Sequence, residues 1–216
     1  MNEEYLLDAF RRYLEYYRDS IHEMKTDPKK VGPYGVKTPF FPLYNRKGIS
    51  WILDSLGKIG CNTSQFERGI SKIDEEFKAY EKSHEEDFLN PLYNNLKDLI
   101  SRYEEYFSAF QKYKGIFRTK EDVDPLYKEY FLSRNVGLFF ADGYEFDILI
   151  NVRTYIEVLF EYLEGKFDIK KLKSKVQEMD SIFKKDLDAI LKSMGIEEYP
   201  SYEPFAPIKY WWLHIN

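Results

Sequence analysis

A chain of 216 residues is long enough to bury an ordinary core, and with 44% apolar and 32% charged residues it falls in the globular class and outside the disordered one. No uncharged apolar run approaches the ~18 residues of a membrane span, and the charged, amphipathic start MNEEYLLDAFRR is unlike a secretory leader. The formal net charge is −5, and the single cysteine, Cys61, excludes an intrachain disulfide and any multi-cysteine zinc site, so a cytoplasmic protein with no membrane partner is expected.

Glu (22) and Lys (23) far outnumber Gln (3), the direction reported for hyperthermophile proteins, and a thermophilic source is the expectation. With 18% aromatic residues, the core is expected to be built from rings more than from small aliphatics.

Leu6, Phe10, Tyr13, Tyr17, Ile21 and Met24 recur at steps of three and four and predict a helix over 3–24, ended at Asp27-Pro28. From Lys25 to Lys47 neither the helical nor the strand period is present. Four of the nine prolines (Pro28, Pro33, Pro39, Pro42) lie there with Gly32 and Gly35, so a long Pro/aromatic arm is expected over 25–48. Its Tyr34, Phe40, Phe41, Leu43 and Tyr44 would each lose about 1.5–3 kcal/mol of burial if left in water, so the arm is expected to dock. Ile49, Trp51, Ile52, Leu53, Leu56 and Ile59 predict a short helix stopped by Gly60, with Thr63 or Ser64 capping the next.

Phe66, Ile70, Ile73, Phe77, Tyr80, His84 and Phe88 continue the helical period, which resumes after Asn90-Pro91 as Leu92, Leu96, Leu99, Tyr103, Tyr106, Phe110 and Tyr113. Two antiparallel helices, 64–82 and 92–113, are favoured over one kinked helix, because proline suits a first helical position and Ser83 to Asn90 reads as a connector. Asp124-Pro125 opens a short helix to about Ser133, and Val136 to Phe146 allows a minor hairpin about Asp142-Gly143. Residues 146–163 are apolar nearly all round and predict a helix in the middle of a bundle, and Asp168 caps a last helix over 168–194. The aromatic tail at 196–216 is expected to bury Tyr210, Trp211, Trp212 and Leu213, on its own bundle or in a dimer. The expected fold is all-α: an irregular bundle of five to seven helices in one domain over 1–216, without a solenoid repeat.

The chain has no Walker or dinucleotide-binding glycine pattern, no Gly-x-Ser-x-Gly and no His-Glu-x-x-His. Glu81-x-x-His84 matches the pattern by which carboxylate bundles place an oxygen and an imidazole on one helix face, and Asp19-x-x-His22 is a shortened version. Both histidines fall at predicted helix ends, so solvated rim histidines are the competing reading and no metal or other cofactor is expected. Cys61 precedes a capping sequence where a helix dipole lowers a thiol pKa, but no histidine is near in sequence and packing is the simpler role. No catalytic residue is assigned.

Residues 25–72 hold nine Lys and Arg against three acids, in a chain whose net charge is −5. Within this basic segment, 51–77 resembles a helix-turn-helix in outline. A nucleic-acid reading puts Lys29, Lys30, Lys37, Arg46 and Lys47 on phosphates and Gln65, Arg68 and Lys72 on the second helix, although the turn is loose and Gly69 stands where an apolar anchor is expected. On the central helix, Arg153, Glu157, Glu161 and Glu164 form one stripe, an ordinary surface pair if exposed and a polar line in the core if buried. The reading preferred over nucleic-acid binding and over a metal-carboxylate enzyme is a non-catalytic helical interaction protein. Its partner is another protein or a second copy of itself, met through Tyr34, Phe40, Phe41 and Tyr44 of the arm and Trp211 and Trp212 of the tail.

Overall fold

In the computed structural model, which describes residues 2–113, 144–193 and 205–214, the fold is all-α, with no sheet among the described residues. Six α-helices are seen there: α1 (Glu3–Thr26), α2 (Phe40–Lys58), α3 (Ser64–Ser83), α4 (Glu85–Tyr113), α5 (Tyr144–Leu163) and α6 (Lys170–Ser193). Single 3₁₀ turns occupy Pro33–Gly35 and Trp211–Leu213. This is the expected irregular helical bundle. The short helix read after Asp124-Pro125 and the hairpin about Asp142-Gly143 lie outside the described residues, except that Tyr144 to Phe146 open α5.

The described residues fall into two compact units. The first draws on residues 2–96, 158–167 and 205–209, and the second on 97–113, 144–157, 168–193 and 210–214. In the first, α1 buries Leu6, Phe10, Tyr17, Ile21 and Met24 of the predicted stripe and leaves Tyr13 half-buried, while α3 buries Ile70, Ile73 and Phe77. In the second, the part of α5 up to Glu157 has Leu149, Ile150, Val152 and Ile156 fully buried, and Tyr103, Val176, Phe183 and Tyr210 of the same unit are buried too. Rings are among the largest fully buried side chains, including Tyr17, Tyr103, Tyr210, Phe40, Phe88 and Phe183.

The structure differs from the sequence expectation at two boundaries. The loop after α1 is shorter than 25–48, because α2 begins at Phe40 and carries Pro42 in its first turn, where a missing N–H costs no intrahelical bond. The buried stripe of α2 runs through Asn45 and Gly48 as well as Phe40, Leu43, Ile49 and Ile52, and those two non-apolar residues hide the period. Asn45 donates to the Tyr16 carbonyl at 3.0 Å and to Ser20 Oγ at 3.2 Å on α1. At Gly48 a Cβ would sit 2.2 Å from Tyr13 Cε1, so only glycine lets α1 and α2 approach this closely.

The second difference is at the α3–α4 junction. A single residue, His84 (φ −131°, ψ 34°), breaks the helix in place of the eight-residue connector, and Pro91 lies inside α4. Phe77 and Phe88 are eleven positions apart yet their ring centroids are 5.6 Å apart, so the chain turns back at His84. Glu85, Glu86 and Asp87 place negative charge at the positive end of α4, and Phe88 buries itself at once, which moves the start of the helix ahead of the proline. At the next junctions the signals act as read: Gly60 (φ 83°) follows α2, and Asp168 Oδ1 accepts from the Lys170 amide at 3.3 Å before α6. Thr63 instead turns its hydroxyl to Glu67 Oε1 at 3.0 Å, and the Ser64 amide is capped by Asn62 Oδ1 at 3.0 Å.

Candidate functional sites

Between α1 and α2 the chain folds into a tight loop over residues 27–39. Thr38, 1% exposed, donates its hydroxyl to the Asp27 carbonyl at 2.7 Å and to the Lys30 carbonyl at 2.9 Å, closing the loop at its base. The Gly32 amide donates to the Val36 carbonyl at 2.8 Å, Val36 is buried, and Gly32 lies so close to Phe41 that a Cβ would meet its ring at 2.5 Å. The tip bends through Tyr34 (φ 56°) and Gly35 (φ 73°), a left-handed pair in which tyrosine is the strained member.

This loop and the α3–α4 junction enclose a cavity of about 490 Å³. Its walls are apolar: Pro28 and Pro39 from the loop, Tyr80, Phe88 and Pro91 from the helices. Its ionisable groups are Lys29, Lys37, His84 and a single acid, Asp87. Neither Lys29 nor Lys37 makes an ion pair among the described residues, whereas neighbouring Lys30 is bound to Glu23, whose hydrogen bond and charge raise the lysine's pKa. The ring of His84 stacks on Tyr80, centroids 4.2 Å apart, with Nδ1 within 2.9 Å of Ser83 Oγ and 3.2 Å of the Tyr80 carbonyl.

The remaining residues of the basic segment are scattered. Arg46 Nε donates to both carboxylate oxygens of Asp74, at 2.8 and 3.0 Å, and Lys47 is paired with Glu161, which also accepts from Lys209 at 2.7 Å. Gln65, Arg68 and Lys72 are exposed on α3. Tyr17, 1% exposed, donates to Asp74 Oδ1 at 2.9 Å; burial, then the Asp74 charge, raises its pKa above the usual tyrosine value. The sequence marked Tyr17 only as core and passed over Asp74; the available signal was an acid beside the apolar stripe of Ile70, Ile73 and Phe77.

The metal-ligand candidates do not converge. Glu81 accepts from the Tyr162 hydroxyl and from Lys166 Nζ at 3.0 Å. His84 lies past the end of α3, so the two no longer share a helix face, and Asp19 and His22 are exposed on α1. Among the described residues no three His, Cys, Asp or Glu side chains gather where they could hold a metal ion. Cys61 is half-buried with Sγ 3.9 Å from Glu3 Oε1.

Of the aromatic contact candidates, Phe40 is fully buried and stacks on Tyr44, with ring centroids 5.9 Å apart, while Tyr34, Phe41 and Tyr44 are half-buried. In the second unit Trp211 lies against Phe183, 6.0 Å between centroids, and Trp212 is 3% exposed. Trp212 Nε1 donates to Thr154 Oγ1 at 3.0 Å, and the Arg153 guanidinium sits 3.9 Å from the centre of its ring. Arg153 is itself buried: Asp180 accepts from Nε at 2.9 Å and from Nη2 at 2.8 Å, and Glu157 accepts from Nη1 at 3.0 Å. Tyr103 completes the set by donating to Asp180 Oδ1 at 2.7 Å. The described part of the tail is therefore a structural element of its own chain, and the Arg153 end of the α5 stripe is a buried polar network.

Comparison with protein-family models, with curated proteins and with solved structures returns no match.

Proposed function

We propose that the chain is a non-catalytic helical interaction protein whose working surface is the 27–39 loop with the cavity beneath it, and that it takes an acidic segment of another protein. The observation that carries this is the convergence of Lys29, Lys37 and His84 on one apolar-walled cavity, with both lysines lacking an ion pair among the described residues. An apolar side chain fits between Pro28, Pro39, Tyr80 and Phe88, and a neighbouring carboxylate reaches the two ammonium groups. Phe40 and Trp212 are spent inside their own chain, which moves the expected docking role from the aromatics to this cavity.

Nucleic acid is the second reading, and the exposed row Gln65, Arg68 and Lys72 on α3 favours it. Against it, Glu23 and Glu161 intercept Lys30 and Lys47, and a polyanion leaving the cavity meets Asp87, Glu85 and Glu86. The lone cysteine supports a cytoplasmic setting, and the excess of Glu and Lys over Gln supports a thermophilic source. No helix among the described residues is long and apolar enough to cross a membrane.

A labelled peptide of alternating acidic and aromatic residues, titrated into the full chain beside a labelled DNA duplex, tests the proposal. Lys29→Glu with Lys37→Glu is expected to weaken the peptide by about tenfold or more, as is added salt. Tighter binding of the duplex, lost in Arg68→Glu with Lys72→Glu, would hand the function to the second reading.

A further inference from the structure

A separate cavity of about 480 Å³ lies within the first unit, walled by α2, α3 and the last turns of α5. Its carboxylates are all supplied with donors. Asp74 receives the Tyr17 hydroxyl and Arg46 Nε, Glu81 receives the Tyr162 hydroxyl and Lys166, and Glu161 receives Lys47 and Lys209. Its cations are not all supplied with acceptors. Arg46 spends only Nε, so its two Nη groups have no partner among the described residues, and Lys78, one turn beyond Asp74 on α3, makes no ion pair there either. A cavity with satisfied acceptors and surplus charged donors is completed by an anion.

Two further features define the anion. The guanidinium is held in place through Asp74, which is itself anchored by the buried Tyr17, so its outer fork is already oriented and little side-chain freedom is lost on binding. Beside the fork the wall is formed by Leu43, Phe77 and Val158, which offer nothing to a bare ion and much to a hydrocarbon or ring. We propose that this cavity binds a small organic anion, a carboxylate or phosphate monoester carrying an apolar body, with its head on Arg46 and Lys78 and its body on Leu43, Phe77 and Val158. The site shares no residue with the loop cavity and stands independently of it.

Nuclear magnetic resonance titration of the methyl-labelled full chain tests this, with phenyl phosphate and phenylacetate as probes and inorganic phosphate and benzyl alcohol as partial ligands. The expected result is saturable shifts of the Leu43 and Val158 methyls with at least one of the two probes, each partial ligand binding about tenfold or more weakly. Lys78→Glu, an exposed change that leaves the Tyr17–Asp74–Arg46 contacts in place, is expected to weaken the probe about tenfold with an unaltered melting curve, and Lys29→Glu is expected to leave it unchanged. Three results would overturn the proposal: still methyls at millimolar probe, unchanged probe affinity in a folded Lys78→Glu protein, or equal affinity for inorganic phosphate.

Discussion

At Arg153, 5% exposed, burial alone lowers the pKa, and the charges of Asp180 and Glu157 more than reverse this, so the guanidinium stays protonated inside the second unit. Such a pair is worth little as an attraction and a great deal as a compensation, because removing one member leaves the other charged and dry. Asp180→Ala is therefore expected to cost roughly 3–5 kcal/mol, read as a shift in the denaturant midpoint, and Arg153→Met combined with Asp180→Leu is expected to recover most of it. Equal losses in the single and double variants would mean that the network is ordinary packing. The sequence showed Arg153 and Glu157 as a helical i, i+4 pair and left its burial open. Asp180 is 27 positions away and Trp212 is 59, and no local pattern announces that a guanidinium is enclosed between them.

Among the helices, those with an unbroken apolar stripe were legible: α1, α3, α5 and the apolar rows of α4 and α6 stand where three-and-four spacing put them. α2 was half legible because its contact with α1 is made by the Asn45 amide and by the absence of a side chain at Gly48, neither of which scores as hydrophobic. The loop cavity was legible only as a list of lysines, since its other wall comes from a helix junction fifty residues on. The two kinds of glycine make a test. At Gly69 in α3 a Cβ meets nothing within 4 Å, so Gly69→Ala is expected to stabilise by about 0.5–1 kcal/mol through helix propensity. At Gly48 the same change drives a methyl into the Tyr13 ring, and despite equal propensity it is expected to destabilise by about 1–3 kcal/mol. Thermal melts of the two variants that move in the same direction would contradict the close α1–α2 approach.

Among the described residues, three tyrosines hold their protons more tightly than the usual value of 10.0: Tyr17 and Tyr162 in the first unit and Tyr103 in the second, each chiefly through burial and then through Asp74, Glu81 and Asp180. Above about pH 10 the unfolded chain releases protons that the folded chain keeps, so the stability they contribute is complete below that pH and falls as pH rises. The slope is at most about 1.4 kcal/mol per pH unit for each tyrosine. Melting temperature is expected to drop between about pH 9 and about pH 11, and Tyr162→Phe to flatten that drop; a pH-independent melt would contradict the buried phenols. The tryptophans offer a different use of the same interior. Trp51 is 3% exposed in the first unit and Trp212 is 3% exposed in the second, where its ring covers Arg153. Each unit thus carries its own buried fluorophore, and with Trp211 and one of the pair replaced by Phe, the emission left over follows a single unit in real time. Blue emission from Trp212 then means that the Arg153 and Asp180 charges are still roofed by the indole, and its shift to the red marks the moment water reaches them.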